Sequence, residues 1–251
     1  TRISSSVFHD GQINGVNLNE SDRFALDGQR LILKSGTYGA NGAEYQTENY
    51  SNIRIISHGS ISSGNSVGPE YFEVLYPDGS KAFYGTDSNA RNQIQWAVSY
   101  TESPIGARIS YDYILSNNSI LIDNISYGGI GTPNGAALNY IYFFYDYSSK
   151  SEQGYIGGLS VYQDRILNKI SVSGSGNYIR HYKLSYENVS TLNHQRLTSV
   201  QEFNGNEQNA FNPIYFSYAN TNDLVVSSMI NNLSMSGIAS NNSDVLTADF
   251  T

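Results

Sequence analysis

The chain has no cysteine, which excludes a disulfide framework, a thiol nucleophile and any Cys-ligated zinc or iron–sulfur centre. Charge is also scarce, at 14% of residues against roughly 25% in an average domain. The basic sign is the scarcer one: 14 Lys+Arg against 22 Asp+Glu give a formal net charge of -8. These cations are scattered rather than interleaved with aromatics, so a nucleic-acid partner is excluded. No apolar run approaches the roughly 18 residues of a membrane-spanning helix, and no transmembrane segment is expected. Thr1-Arg2-Ile3-Ser4 carries no Met, no basic stretch and no apolar core of a signal peptide. A chain opening on Thr reads as trimmed, so its native address is not fixed by that lack. Lys, Glu, Ala and Leu, the helix formers, are thin. Abundant instead are 21 Tyr, 10 Phe, 28 Asn and 36 Ser in 251 residues. Such a chain is too aromatic for disorder and too poor in helix formers for helices. It reads as all-β, one large domain or two modest ones, with many turns. Missing cysteine and the Asn/Ser/Tyr bias suit a secreted or surface-exposed bacterial protein.

The first 21 residues form a polar lead-in with isolated aliphatics that could supply an edge strand. Asp27-Gly28 is a turn signal, and Arg30–Lys34 follows as a short strand. Gly36, Gly39 and Gly42 recur every third residue; no Lys-Ser/Thr follows, so they read as a turn with positive φ rather than a phosphate loop. FEVLYPDGSKAFY (72–84) is the clearest hairpin: Pro77-Asp78-Gly79 separates two alternating runs, with Phe72, Val74 and Tyr76 on one face. A second hairpin is expected where Ser103-Pro104-Ile105-Gly106 separates IQWAVSYTE from ARISYDYIL, with Trp96 turned into the core beside Ile94 and Val98. Between Asp87 and Gln93 a short helical turn is the most that fits.

Beyond residue 107 the sequence repeats. A tyrosine-rich strand recurs at Ile109–Tyr113, Phe143–Tyr147, His181–Tyr186 and Ile214–Tyr218. Three of the four precede a second strand with a Leu-x-x-Ile core: Leu121–Tyr127, Arg165–Val172 and Arg196–Phe203. A unit of this length must stack on its neighbours to bury its face. Residues 219–251 shift to Asn/Ser-rich composition, reading as a linker and the opening of a following, propeller-like module.

Chemistry is sparse. His9, His58, His181 and His194 show no metal-ligand spacing, and no H-E-x-x-H or G-x-S-x-G occurs. His194 reads as a solvated loop residue. Glu44, Glu48, Glu70 and Glu73 are the carboxylates open to glycosidase chemistry, although Glu73 lies opposite Phe72 and Val74, on a solvent face. Seven Asn-x-Ser/Thr triplets are close to the roughly five that chance supplies and carry no glycosylation signal. Tyrosine itself fits a sheet with one wet face, or a sugar-binding surface. No catalytic, cofactor-binding or metal residue is nominated, and no cofactor is expected.

The run DRFALDGQRLILKSGTYGANGAEYQTENYSNIRIISHG (22–59) resembles the N-terminal domain of the SpvB / insecticidal toxin complex B-subunit family, in its DGQRL stretch and its Y-x-T-E segment. The resemblance continues through YFEVLYPDGSKAFYG and QIQWAVSYTESPIGARISYDY to YKLSYENVSTLNHQRLTSVQEF, covering residues 22–218. It departs at a turn where Glu102 and Ala107 stand in place of the usual Asp and Asn. The Tyr-rich units resemble the YD repeats of RHS proteins. The resemblance implies antiparallel sheets of hairpins with little helix, and a non-catalytic role in a virulence-associated shell around a toxin cargo. Its implied partners are other domains of the same polypeptide and toxin-complex subunits, with no small-molecule ligand expected. LTADFT at the end resembles the start of a propeller blade, where Asp249 and Thr251 would begin a calcium loop; its Gly-Asp-Gly is missing, so no metal site is assigned. A carbohydrate- or surface-binding module using exposed Tyr is the other class left open.

Overall fold

The computed structural model describes residues 1–5, 14–63, 66–130, 137–189 and 193–218. Residues 1–217 form one compact unit. The 219–251 linker and propeller-like opening, with Asp249 and Thr251, lie outside the described residues, as does His9.

The chain is all-β, as its composition dictates. Fifteen strands form one antiparallel sheet that does not close, ordered almost as they occur in the sequence. The first part comprises β1 (Arg2–Ile3), β2 (Arg23–Leu26), β3 (Gln29–Ser35), β4 (Glu44–Thr47) and β5 (Arg54–His58). A separate small hairpin, β6 (Ile61–Ser63) with β7 (Ser66–Gly68), interrupts the run before β8 (Tyr71–Leu75), β9 (Lys81–Tyr84) and β10 (Val98–Glu102). Six longer strands follow: β11 (Ala107–Ser116), β12 (Ser119–Ile130), β13 (Asn139–Ile156), β14 (Leu159–Gly174), β15 (Asn177–Val189) and β16 (His194–Asn204). Short β17 (Ile214–Tyr215) ends the order. The only helical element among the described residues is a single 3-10 turn, Ser88–Ala90, capped by the Asp87 carboxylate accepting from Asn89 N.

Turn chemistry sets the register. Asp27–Gly28, Asn117–Asn118, Gly157–Gly158 and Ser175–Gly176 are two-residue loops with both φ positive, the turn whose twist matches that of the paired strands. Pro77-Asp78-Gly79 closes β8–β9 as expected: Gly79 N donates to Tyr76 O (3.0 Å), Tyr76 N donates to Ser80 O (2.9 Å), and Phe72 faces Tyr84. Pro104-Ile105-Gly106 repeats that design between β10 and β11. Here the strand is shorter than the alternating sequence implies. Ile94–Ala97 lies before β10, because Asn92 accepts from Ile94 N and Gln95 N and folds the chain into a loop.

Among the described residues the core lies entirely in the first hundred. Phe24, Leu31, Tyr45, Ile55, Phe72, Val74 and Trp96 converge from β2, β3, β4, β5, β8 and the loop before β10, so this part of the sheet curls onto one face. Trp96 is 7% exposed and its Nε1 donates to Pro69 O (3.2 Å), so the expectation that it belongs to the core holds. Arg2 and Asp22, both buried, pin the leading segment to this body: Arg2 Nη1 lies 3.5 Å from Asp22 Oδ2 and donates to Asn19 O, Nε donates to Gln93 O, and the guanidinium sits over the Phe24 and Trp96 rings.

Candidate functional site

After residue 100 the character of the sheet changes. Among the described residues, all buried hydrophobic side chains lie from Leu18 to Trp96, and after Ser99 only Ser171, Ser173 and His181 are buried. The second half is three hairpins, β11–β12, β13–β14 and β15–β16, which are the sequence units seen as Tyr strand, turn and Leu strand.

The three share a device. Pairing passes from Asp112↔Asn124 to Tyr113↔Ile122, leaving Asp123 as an extra residue. The same slip occurs from Phe144↔Lys169 to Tyr145↔Leu167 around Asn168, and from Ser185↔Ser199 to Tyr186↔Leu197 around Thr198. Each is a β-bulge, where an extra residue opens the ladder and sharpens the twist. The tyrosine at each bulge reaches back one strand. Tyr113 Oη donates to Val98 O (2.8 Å), Tyr145 Oη to Ile122 O (2.8 Å) and Tyr186 Oη to Leu167 O (2.7 Å). Ile122 and Leu167 are themselves the residues facing Tyr113 and Tyr145, so each unit's tyrosine is stapled to the bulge of the unit before. Burial pushes the Tyr113 phenol up to about 12 and raises those of Tyr145 and Tyr186, so all three stay donors at neutral pH.

Period-2 alternation gives this sheet two unlike faces. One carries Ile109, Ile125, Ile141, Ile170, Val172 and Val200; none of them is fully buried. The other carries Asn124, Ser126, Tyr140, Tyr142, Ser171 and Lys169. Tyr140 and Tyr142 stack, with centroids 5.6 Å apart and planes within 6°. At the end of the order, β17 presents Ile214 and Tyr215, 65% and 77% exposed.

On the polar face His181 is 3% exposed and held on both ring nitrogens. Nε2 donates to Gly205 O (3.1 Å), and Nδ1 lies 2.7 Å from Ser171 Oγ. Glu207 Oε1 is 3.7 Å from the same Nδ1, and its carboxylate pairs with Lys183 (2.6 Å) and Lys169 (3.4 Å), which hold it below the usual carboxylate range. Serine and carboxylate share one nitrogen, so the imidazole cannot relay a proton between them as a Ser hydrolase requires. With Ser171 fully buried, the cluster pins the turn after β16.

The carboxylates weighed for glycosidase chemistry are dispersed among cations. Glu44 pairs with Lys34 and Arg54 (2.9 Å each), and the Lys34 hydrogen bond leads in lowering its carboxyl. Glu70 pairs with Arg91 (3.0 Å), while Glu48 is exposed. Glu73 keeps to the face opposite Phe72 and Val74, partly covered there by His58 (3.0 Å), which stacks on Tyr71. His194 opens β16 rather than sitting in a loop, with Nε2 2.7 Å from Lys150 Nζ. Among the described residues no group of three His, Asp or Glu converges on a metal position.

No family model matches this sequence, and no curated protein does. Solved structures do. The N-terminal domain of the effector SpvB from Salmonella typhimurium strain LT2 superposes with a TM-score of 0.62 at 16% identity, covering 76% of this chain and 83% of that one. A TcdB2-TccC3-Cdc42 crystal structure gives 0.61 at 14% identity, and a Photorhabdus luminescens Tc holotoxin pore gives 0.63 at 15%. Each covers 81% of this chain, which spans only 13% of theirs. At such identities the likeness speaks to architecture: this chain has the fold of the SpvB N-terminal domain and of the matching part of Tc toxin subunits.

Proposed function

We propose that the chain is a non-catalytic structural module of a large secreted bacterial protein of the toxin-complex type, forming part of a β-shell around a cargo. The observation that carries this reading is the contrast between the two halves of the sheet. The first half buries a core of its own, while the second extends as repeated hairpins whose aliphatic face carries no layer among the described residues. A sheet half that cannot bury its apolar face alone is a wall, and walls are completed by neighbours. The stapled hairpins are then RHS/YD-type units, and the partners are further domains of the same polypeptide and other toxin-complex subunits. The fold shared with TcdB2-TccC3 structures supports this.

Light scattering combined with a glycan-binding panel tests the proposal. The expected result is self-association through the β17 edge, suppressed by Ile214→Lys, because exposed edges recruit strands and an inserted charge blocks them. No glycan should bind. A monomer at high concentration that binds a sugar saturably, with loss of binding on changing one exposed tyrosine such as Tyr155, would replace the wall with a carbohydrate-binding module.

A further inference from the structure

The core of the first half is not filled. Between Phe24, Leu31, Ile55, Phe72, Val74 and Trp96 lies a cavity of about 300 Å³, opening under the β2–β3 turn at Leu26, Asp27 and Gly28. Packed interiors hold few voids larger than a water molecule. The aromatic walls meet edge to face, with Phe24, Phe72 and Trp96 centroids 5.2–5.3 Å apart, so the rings brace one another around the space instead of occupying it. Water gains little inside. Trp96 Nε1 is already used by Pro69 O, and the remaining five wall residues are purely hydrocarbon. Polar side groups in the lining come from Thr1, Tyr84 and Asp27: the Thr1 amine and hydroxyl already donate to Ala25 O (2.9 Å) and Ile94 O (3.3 Å), and burial lowers that amine to about 6, so at neutral pH the Asp27 carboxylate is the charged group there. Burial raises the Tyr84 phenol, which therefore remains a neutral hydroxyl.

We propose that this cavity is a binding site for a compact apolar molecule bearing one hydroxyl group at its outer end. An apolar cavity of about 150 Å³ accepts benzene. Twice that volume accommodates a fused aromatic pair or a medium-length alkyl chain, at the lower limit of ordinary ligand pockets. A hydroxyl donates to the Asp27 carboxylate; a carboxylate in its place meets a like charge. The inference reverses the sequence-based expectation that no small molecule binds, and it is independent of the role of the second half of the sheet.

Trp96 is the only tryptophan, so its fluorescence reports on this cavity alone. Titration with 8-bromo-1-octanol, whose bromine quenches an indole on contact, is expected to give saturable quenching. The matched acid, 8-bromooctanoate, should bind at least about tenfold more weakly. Leu26→Phe, which narrows the mouth, should weaken the alcohol by a similar factor. Asp27→Asn, at an exposed turn position, should erase the preference for alcohol over acid. Circular dichroism establishes that each variant is folded; if Leu26→Phe is not, the native titration and Asp27→Asn decide. Absence of saturable quenching up to the probe's solubility overturns the proposal, as does unchanged quenching in folded Leu26→Phe. Equal affinity for alcohol and acid in the native chain overturns the assignment of the polar end.

Discussion

Removing one hydroxyl tests whether the tyrosine staples hold the second half of the sheet. In Tyr145→Phe the ring stays and only the bond to Ile122 O is lost. A neutral hydrogen bond contributes about 0.5–1.5 kcal/mol net, and a half-buried carbonyl left without its donor costs about 1–3 kcal/mol. The expected loss is about 1.5 kcal/mol. With a urea dependence of about 3 kcal/mol per molar for a chain of this size, the unfolding midpoint should fall by about 0.5 M. Tyr147→Phe is the internal control. That ring, 71% exposed, carries the Arg165 guanidinium 3.7 Å above it, and phenylalanine keeps that face, so the change should stay within about 0.5 kcal/mol. Tyr113→Phe and Tyr186→Phe act at separate bulges and should add to Tyr145→Phe nearly independently. Urea titrations followed by circular dichroism measure all four variants. If Tyr145→Phe and Tyr147→Phe unfold at the same urea concentration, the staple is decoration and the argument built on it fails.

Alkaline pH should erode stability in a defined window. Burial pushes the Tyr38 and Tyr113 phenols up to about 12, so the folded chain keeps protons that an unfolded tyrosine releases near pH 10. Stability from these groups is complete below about pH 10 and lost as pH rises toward 12, measurable by ultraviolet titration alongside urea midpoints. Arg2→Ala should cost about 3–5 kcal/mol by leaving Asp22 buried without its cation, and Arg2→Leu combined with Asp22→Leu should cost less than either alone. Gly79→Val should destabilise by about 1 kcal/mol or more, since φ there is +86° and only the turn needs it, which a thermal melt will register. Trp96→Ala should cost about 3–5 kcal/mol in urea, as for other buried large aromatics.

Local rules were legible where chemistry and geometry coincide. Pro77-Asp78-Gly79 names its own turn, Asp27-Gly28 does likewise, and the Phe72/Val74 alternation marks the buried face that β8 presents. The tyrosine repeat could be read as a repeat, but not which tyrosine of each pair does the work. Tyr111 and Tyr113 look equivalent in ISYDY. They are separated by a bulge, and one extra residue leaves no trace in a period-2 pattern. Trp96 was legible as core while its strand was not, because Asn92 captures two backbone amides and loops the chain without disturbing the alternation. His181 gave no sign of burial. Its enclosure depends on Gly205, where a Cβ would collide with Tyr178 O, so the turn after β16 can close over the imidazole only without a side chain. Such closeness is a property of tertiary neighbours.

The direction of the staples bears on how the chain is made. Every stapling hydroxyl finds its acceptor earlier in the sequence: Tyr113 at Val98, Tyr145 at Ile122, Tyr186 at Leu167. None of these three staples waits for a residue that a ribosome has yet to deliver. The curled first half can condense on its own core, and each new hairpin then arrives at a finished edge with a carbonyl already aimed at the tyrosine to come. Assembly can keep pace with synthesis, in N-to-C order, with only the newest edge open at any moment. A polypeptide built this way can lengthen its sheet by duplicating one unit, since the last bulge offers the next tyrosine what the previous one offered it.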